Sequence, residues 1–351
     1  MEKRVIDLRT DTSTLPTEEM LEAMRNAILG NDGFGEDPTV NRLQEMAAEK
    51  MGKEAALFVP SGTLGNLSAL MCYTRRGDEI IAEENTHIFT LESGFTVVSG
   101  LVPRKIPGRM GIMSSEDVEE AILSSRKKST YTLGSSLICL ENTHNIAGGI
   151  AVPPANTREI CEIAGRYDIP VHLDGARVFN AAVALGTDVK DLVRHVDSVM
   201  FCLSKGLCAP VGSILAGSQE VIAKAVKVRK ILGGGMRQAG VLAAAGIIAL
   251  KKMVTHLVDD HKKIRVLAQG FSSIEGLLID WERVQTNILH FDVKSTGLNA
   301  QTFIEKLNRY GIRFYPRGKT LIRAVAHKDV TEADIQYVIE VVREVLLGIR
   351  Q

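Results

Sequence analysis

Ser198-Val199-Met200-Phe201-Cys202-Leu203-Ser204-Lys205-Gly206-Leu207 reads as an apolar strand that delivers one lysine into a turn of small residues. A lysine at the end of a buried strand is poorly solvated, which favours the free amine and makes it available to condense with a carbonyl. Upstream, Ile169-Pro170-Val171-His172-Leu173-Asp174-Gly175-Ala176-Arg177 forms a second strand ending in a carboxylate, with an arginine close behind. An aspartate at a strand end can hold a proton on a pyridine nitrogen. An aspartate strand followed by a lysine strand is therefore the pairing that pyridoxal 5'-phosphate chemistry requires.

Each residue has a plainer reading. Lysines at strand ends commonly just reach solvent, although the segments flanking Lys205 carry no other charge. Asp174 can be a solvated loop carboxylate, but its strand places it at the carboxyl edge of a sheet, where ligands bind in alternating α/β arrays.

Outward from these strands, short apolar runs alternate with amphipathic helical stretches from about Glu54 onward, the pattern of crossover units in a parallel sheet. The predicted strands are Ala55-Val59, Glu79-Ala82, Val102-Ile106, Leu137-Leu140, Val171-Leu173, Val199-Leu203 and Ser213-Ala216. Helices are predicted over Thr63-Thr74, Ser115-Arg126, Thr157-Arg166 and Gln219-Ile231, the third capped by Asn156 or Thr157. Gly240 to Leu267 reads as one long helix leaving this domain, and Ile288-Val293, Ala300-Tyr310, Thr320-Val325 and Glu332-Leu347 follow as a smaller unit. The expected fold is α/β. A mostly parallel sheet sandwiched by helices forms a large domain with an N-terminal arm (residues 1–250), followed by a smaller C-terminal αβ domain (residues 251–351). The first forty residues look turn-rich and outside the sheet.

Composition narrows the partners. Among 351 residues, Lys plus Arg and Asp plus Glu both number 42, which argues against nucleic acid or a polybasic membrane contact. The start lacks an apolar h-region and the run Val241 to Leu250 is too short to span a bilayer, so no membrane partner and a cytoplasmic location are expected. Cys72, Cys139, Cys161, Cys202 and Cys208 are spaced as free thiols rather than as disulfides or a metal site, and no metal is expected.

Further candidates surround the two strands. In Val59-Pro60-Ser61-Gly62-Thr63-Leu64-Gly65-Asn66, Gly62 and Thr63 open a helix whose backbone amides can take a phosphate, or simply a capped helix. That stretch lacks the spaced glycines of a nicotinamide-binding loop. His87 lies just past a strand, where an imidazole can stack on a pyridine ring or act as a base. His256 and His261 read as helix-surface residues. Gly233-Gly234-Gly235-Met236-Arg237-Gln238 is a flexible turn or an anion contact with Arg237 beside it. Arg323, in an apolar strand, calls for a carboxylate, either a substrate's or an internal one.

The chain resembles the fold-type I pyridoxal phosphate enzymes, and specifically the low-specificity L-threonine aldolases. The resemblance rests on Ile6-Asp7-Leu8-Arg9-Thr10-Asp11-Thr12, Gly35-Glu36-Asp37-Pro38-Thr39, Pro60-Ser61-Gly62-Thr63, Leu140-Glu141-Asn142-Thr143-His144-Asn145, His172-Leu173-Asp174-Gly175-Ala176-Arg177, Cys202-Leu203-Ser204-Lys205-Gly206 and Gly233-Gly234-Gly235-Met236-Arg237-Gln238, in family order, and extends to Arg323-Ala324-Val325-Ala326-His327. It implies that Lys205 bears the cofactor, Asp174 meets its ring nitrogen and His87 stacks on its ring. Gly62 and Thr63 would hold the phosphate, with Arg237 reaching it from a neighbouring subunit. Arg177, also assigned to the cofactor site, would grip the substrate carboxylate with Arg323 and the Thr10 hydroxyl. A homotetramer built as a dimer of dimers is implied, as is retro-aldol cleavage of a β-hydroxy-α-amino acid to glycine and an aldehyde, with His87 as candidate base. The chain departs from the family in having Thr10 for serine, Phe34 for tyrosine and Tyr131 at the position aligned with a substrate-facing histidine. The rival chemistries are β-elimination or transamination on the same scaffold. A non-catalytic relative would have lost the lysine or phosphate loop, and this chain keeps both.

Overall fold

A computed structural model describes residues 4–127 and 134–348. The central sheet has seven strands, in the order Ala55–Val59, Ser213–Gly217, Ser198–Cys202, Val171–Asp174, Ser135–Glu141, Glu79–Glu83, Val102–Ile106. Only Ser213–Gly217 runs antiparallel to its neighbours. The inner strands are largely apolar because both faces are covered, whereas the edge strand Val102–Ile106 is mostly exposed and carries Arg104 and Lys105. Along Ser198–Cys202, Val199 and Phe201 enter one core with Phe58, Ile138 and Leu173, while Met200 and Cys202 enter another with Leu57, Val59 and Leu215. Alternating side chains thus serve opposite faces.

A separate core gathers Ile264, Phe271, Phe291, Phe303, Phe314, Ile335 and Val342 around a smaller sheet, Tyr315–Pro316, Leu321–Val325, Ile288–Asp292 and Leu278–Ile279. Ile6 and Leu8 belong to this core. The N-terminal segment is thus less irregular than its sequence suggests. Ile6–Asp7 pairs in parallel with Ile312–Arg313, and Glu18–Arg25 is a helix capped by Thr17. The pairing partner lies three hundred residues away, so no local signal announces it.

Three other expectations change. The helix placed at Thr157 begins at Pro154, because proline at the first helical position lacks only an N–H that has no partner there. The long helix is continuous over Gly240–Ser272 but contains a π-helical turn at Ala249–Met253. This stretch is long and apolar enough, by length and composition, to cross a bilayer. Here its small residues Ala243, Ala244 and Ala245 are buried, and the helix lies against Glu18–Arg25 and Pro38–Met51. His261 is buried rather than on the surface, meeting the Asn180 amide at 3.2 Å, and burial lowers its pKa to about 4.

The Gly35-Glu36-Asp37-Pro38 motif has a mechanical purpose. Asp37 is fully buried and caps Pro38–Met51: Oδ1 accepts from the N–H groups of Thr39 and Val40, and Oδ2 from those of Gly30 and Gly240. One carboxylate therefore fastens the N-terminal turn to two helices. Asp37→Ala leaves those donors without their acceptor, and a loss of about 2–4 kcal/mol is expected. A lowered urea midpoint checks it; Asp37→Asn, which keeps one acceptor oxygen, should fall between.

Candidate active site

The site residues cluster because parallel strands end at a common edge. Ala55–Val59 leads to Gly62, Glu79–Glu83 to His87, Ser135–Glu141 to Asn145, Val171–Asp174 to Arg177 and Ser198–Cys202 to Lys205. Gly62, Thr63, His87, Asp174 and Lys205 line a single cavity of about 300 Å³, together with Ser61, Glu92, Cys202 and Ser204.

The helix Gly62–Tyr73 starts flush against the Ser198–Cys202 strand. Ser61 Oγ caps it by accepting from the Leu64 N–H at 3.2 Å. A Cβ on Gly62 would stand 3.0 Å from Cys202 Sγ and 3.2 Å from Met200 Cε, so a side chain there would require these two side chains to give way. The first amides of this helix face the cavity with the positive end of its dipole.

Asp174 is 1% exposed. Its Oδ2 accepts from Asn66 Nδ2 at 2.9 Å and its Oδ1 from the Ala176 N–H at 3.1 Å. Asn66 Nδ2 also donates to Glu92 Oε1 at 3.0 Å, and Glu92 Oε1 lies 2.8 Å from His87 Nδ1. Burial opposes the charged imidazole of His87, but the hydrogen bond to Glu92 and the charges of Asp174, Glu92 and Glu141 outweigh it and raise the pKa above the ordinary value. His172 behaves oppositely: burial outweighs the nearby Asp174 charge and lowers its pKa to about 4, so it is neutral, held between Ser198 Oγ and Asn66 Oδ1.

Beneath His87, Glu141 accepts from the His87 N–H at 2.7 Å, Thr86 Oγ1 at 2.9 Å and the Asn145 N–H at 2.8 Å. His144 Nε2 sits 3.0 Å from Glu83 and 3.8 Å from Glu141. Burial opposes charge on His144, but Glu141 and Glu83 outweigh it and raise its pKa. Lys205 is half-buried, and its carbonyl accepts from the Cys208 N–H and from Thr14 Oγ1, both at 2.9 Å.

Arg177 makes a two-point ion pair with Asp11, Nε to Oδ2 at 2.8 Å and Nη2 to Oδ1 at 2.7 Å. Burial disfavours this carboxylate, but the Arg177 charge and hydrogen bonds hold its pKa well below the usual range. Asn145 Oδ1 accepts from Arg323 Nη1 at 3.1 Å and, more weakly, from Arg177 Nη1 at 3.5 Å, so the two arginines meet at one amide. Arg323 Nη2 donates to the Arg9 carbonyl at 3.0 Å, beside Thr10, whose hydroxyl accepts from the Thr12 N–H. Arg237 does not join the cavity; it lines a separate pocket of about 220 Å³ with Asp32, Phe34 and Arg229. Tyr131 lies outside the described residues.

A profile of the beta-eliminating lyase family matches residues 7–294. The chain is 43% identical over 355 residues to low-specificity L-threonine aldolase 1 of Arabidopsis thaliana, covering 100% of this chain and 99% of the relative. It is 39% identical to the low specificity L-threonine aldolase of Escherichia coli K12, with 94% and 96% covered. The chain belongs to the low-specificity L-threonine aldolase family. It is an enzyme of the lyase class. The fold agrees: a Leishmania major threonine aldolase superposes with a TM-score of 0.83 over 97% of this chain and 99% of that one, at 21% identity.

Reading the residues alone missed Asp11, Asn66, Glu92 and Asn145. Asp11, Asn66 and Asn145 lie inside motifs already quoted, and the signal was their company. Glu92 carries none, being a lone acid between Leu91 and Ser93 that only folding brings under His87. Replacing Glu92 with glutamine removes the carboxylate from His87. The imidazolium, which persists in the parent to higher pH than an ordinary histidine, should then deprotonate at lower pH. The His87 ring resonance followed by NMR across a pH series checks this, and an unmoved titration counts against the assignment.

Proposed function

We propose that this enzyme is a pyridoxal 5'-phosphate-dependent aldehyde-lyase that cleaves L-threonine and L-allo-threonine to glycine and acetaldehyde. One observation carries the reading: among the described residues, the hydrogen-bond partners of the buried Asp174 are an amide and a backbone N–H, both neutral. A buried carboxylate without a counter-charge is costly. A protonated pyridine nitrogen in the cavity would give Asp174 a cationic hydrogen-bond donor of its own. The rest of the donor set fits the same molecule, with the Gly62 and Thr63 amides for its phosphate and the Lys205 amine for its aldehyde. The names of the relatives support threonine as the substrate.

The residues then divide the work. Lys205 would hold the cofactor through its side-chain amine. When bound, the cofactor's cationic ring accepts the electron pair released as the Cα–Cβ bond breaks. Asp174 keeps the proton on the ring nitrogen. Arg323 and Arg177, with Thr10, orient the substrate carboxylate, and Asn145 keeps the two guanidiniums in register. His87 takes the β-hydroxyl proton; its contact with Glu92 makes the neutral ring a stronger acceptor, at the cost of a smaller neutral fraction.

The working assembly in this reading is a homotetramer in the cytoplasm, a dimer of dimers producing glycine from threonine. Arg237 faces a different pocket from Lys205 within one chain, so it meets the phosphate only from a second copy.

Two measurements test this. The purified protein should show a visible absorption band and release acetaldehyde from both threonine epimers, and Lys205→Ala should lose band and activity together; a band with a keto-acid product would move the chemistry to elimination or transamination. Lys205→Ala and Arg237→Ala subunits, each impaired alone, should regain part of the parental activity when unfolded and refolded together, because a hybrid dimer contains one intact site. No recovery above the sum of the separate variants would place Arg237 in its own subunit's site or in none.

A further inference from the structure

On the small sheet, Tyr315 is directly opposite Arg323, and Arg323 is directly opposite His290. Directly paired residues in antiparallel strands share a face, so these side chains form one row across three strands. Arg317, just beyond Tyr315, is fixed by its backbone N–H donating to the Leu321 carbonyl at 2.8 Å. The guanidinium carbons of Arg323 and Arg317 stand 5.1 Å and 6.0 Å from the centre of the Tyr315 ring. The two cations therefore lie within reach of the same ring.

Their partners distinguish them from the other arginines nearby. Arg177 is matched by Asp11, and Arg283 by Asp280 at 2.9 Å. Arg323 is 8% exposed, and its hydrogen bonds go to neutral oxygens, those of Asn145 and Arg9. Arg323 Nε, Arg317 Nη2 and His290 Nε2 are buried with no hydrogen-bond partner among the described residues. Glu141, the carboxylate nearest in charge to Arg317, already accepts from Thr86, His87 and Asn145. Burial, with Arg177 and Arg317 nearby, lowers the Arg323 pKa to about 10, which leaves it charged at neutral pH. Burial, with Arg317, Arg323 and Arg283 nearby, lowers that of His290 to about 3, so it adds no charge.

Two guanidiniums with buried unpaired nitrogens and no internal carboxylate call for an anion from outside. We propose that Arg317 is a further substrate-binding arginine beside Arg323 and Arg177, closing with Arg323 on the α-carboxylate of the amino acid. This rests on the aldolase reading for the identity of the amino acid, but not for the presence of a carboxylate site. Both guanidiniums contact the Tyr315 ring, and Asn145 connects Arg323 to Arg177, whose partner Asp11 feels the charge of Lys205. His290, neutral, fills the row behind Arg323 without competing for the anion.

The experiment compares the parent holoenzyme with Arg317→Gln and Arg317→Lys. KM and kcat are measured for L-threonine, and binding is measured calorimetrically for glycine, which has the carboxylate, and 2-aminoethanol, which lacks it. Loss of a charge-assisted contact predicts that Arg317→Gln raises both the KM and the glycine dissociation constant about 10-fold or more. The change in kcat should stay within about 3-fold, since the contact is made equally in ground and transition states. Binding of 2-aminoethanol and the melting temperature should not move, and Arg317→Lys should fall between parent and Arg317→Gln. Unchanged glycine binding in Arg317→Gln overturns the proposal, as does equal weakening of glycine and 2-aminoethanol, which marks a structural role. If the glutamine variant does not fold, the lysine variant decides by the same comparison. A parent that binds glycine through Arg317 yet releases no acetaldehyde would sink the aldolase reading and leave the carboxylate clamp standing.

Discussion

The buried carboxylate of Asp11 joins three parts of the chain that are distant in sequence. It takes two hydrogen bonds from Arg177, just past the Val171–Asp174 strand, and a third at 3.1 Å from Asn287, at the entrance to the small sheet. Asn287 in turn donates to the Ala326 carbonyl at 3.2 Å. Breaking a buried pair of this kind costs about 3–5 kcal/mol, because the surviving charge is left unmatched. Geometry depends on it too. The segment carrying Asp11 also carries Thr14, which holds the carbonyl of Lys205, and Arg9, whose carbonyl fixes Arg323. The N-terminal arm is therefore a clamp between the large sheet and the small one, with the cavity beside it.

Charge in the cavity is arranged as a gradient. Asp174 and Glu92 share one amide, Asn66, and Glu92 is paired with His87 while Asp174 has only neutral donors. His172 is kept neutral directly beneath, so it holds Asn66 without adding a competing positive charge. Deeper, Glu83, Glu141 and His144 form a second set of buried charges that bears on the His87 and Asn145 backbone. Such networks keep a unique geometry only when nearly every member is satisfied. Asp174 is the member whose hydrogen bonds come only from neutral donors.

The arginines that meet at Asn145 reverse the sign. Arg177 is neutralised within the protein, whereas Arg323 and Arg317 are not. In the proposed reading, an anion with neutral donors only, and cations with no carboxylate partner, suit a ligand pair carrying a protonated ring and a carboxylate. This arrangement also orients them without needing a large buried area.

The sequence by itself determined the strands of the large sheet, and the reason is physical. Ala55–Val59 and Ser198–Cys202 are buried on both faces, so nearly every position is apolar, and such runs are visible without a partner. Because parallel strands present their carboxyl ends together, Asp174, Lys205, His87 and Gly62 were legible as neighbours. What only the tertiary structure decided depends on distant partners. Ile6–Asp7 became a strand through Ile312–Arg313, and His261 was buried by Asn180. Glu92 gained its place from His87 and Asn66, and Arg317 stood out only once the small sheet set it across Tyr315 from Arg323. Local pattern specifies which face of an element is apolar. Which charge meets which, and which is left unmatched, is settled by the packing of elements against one another.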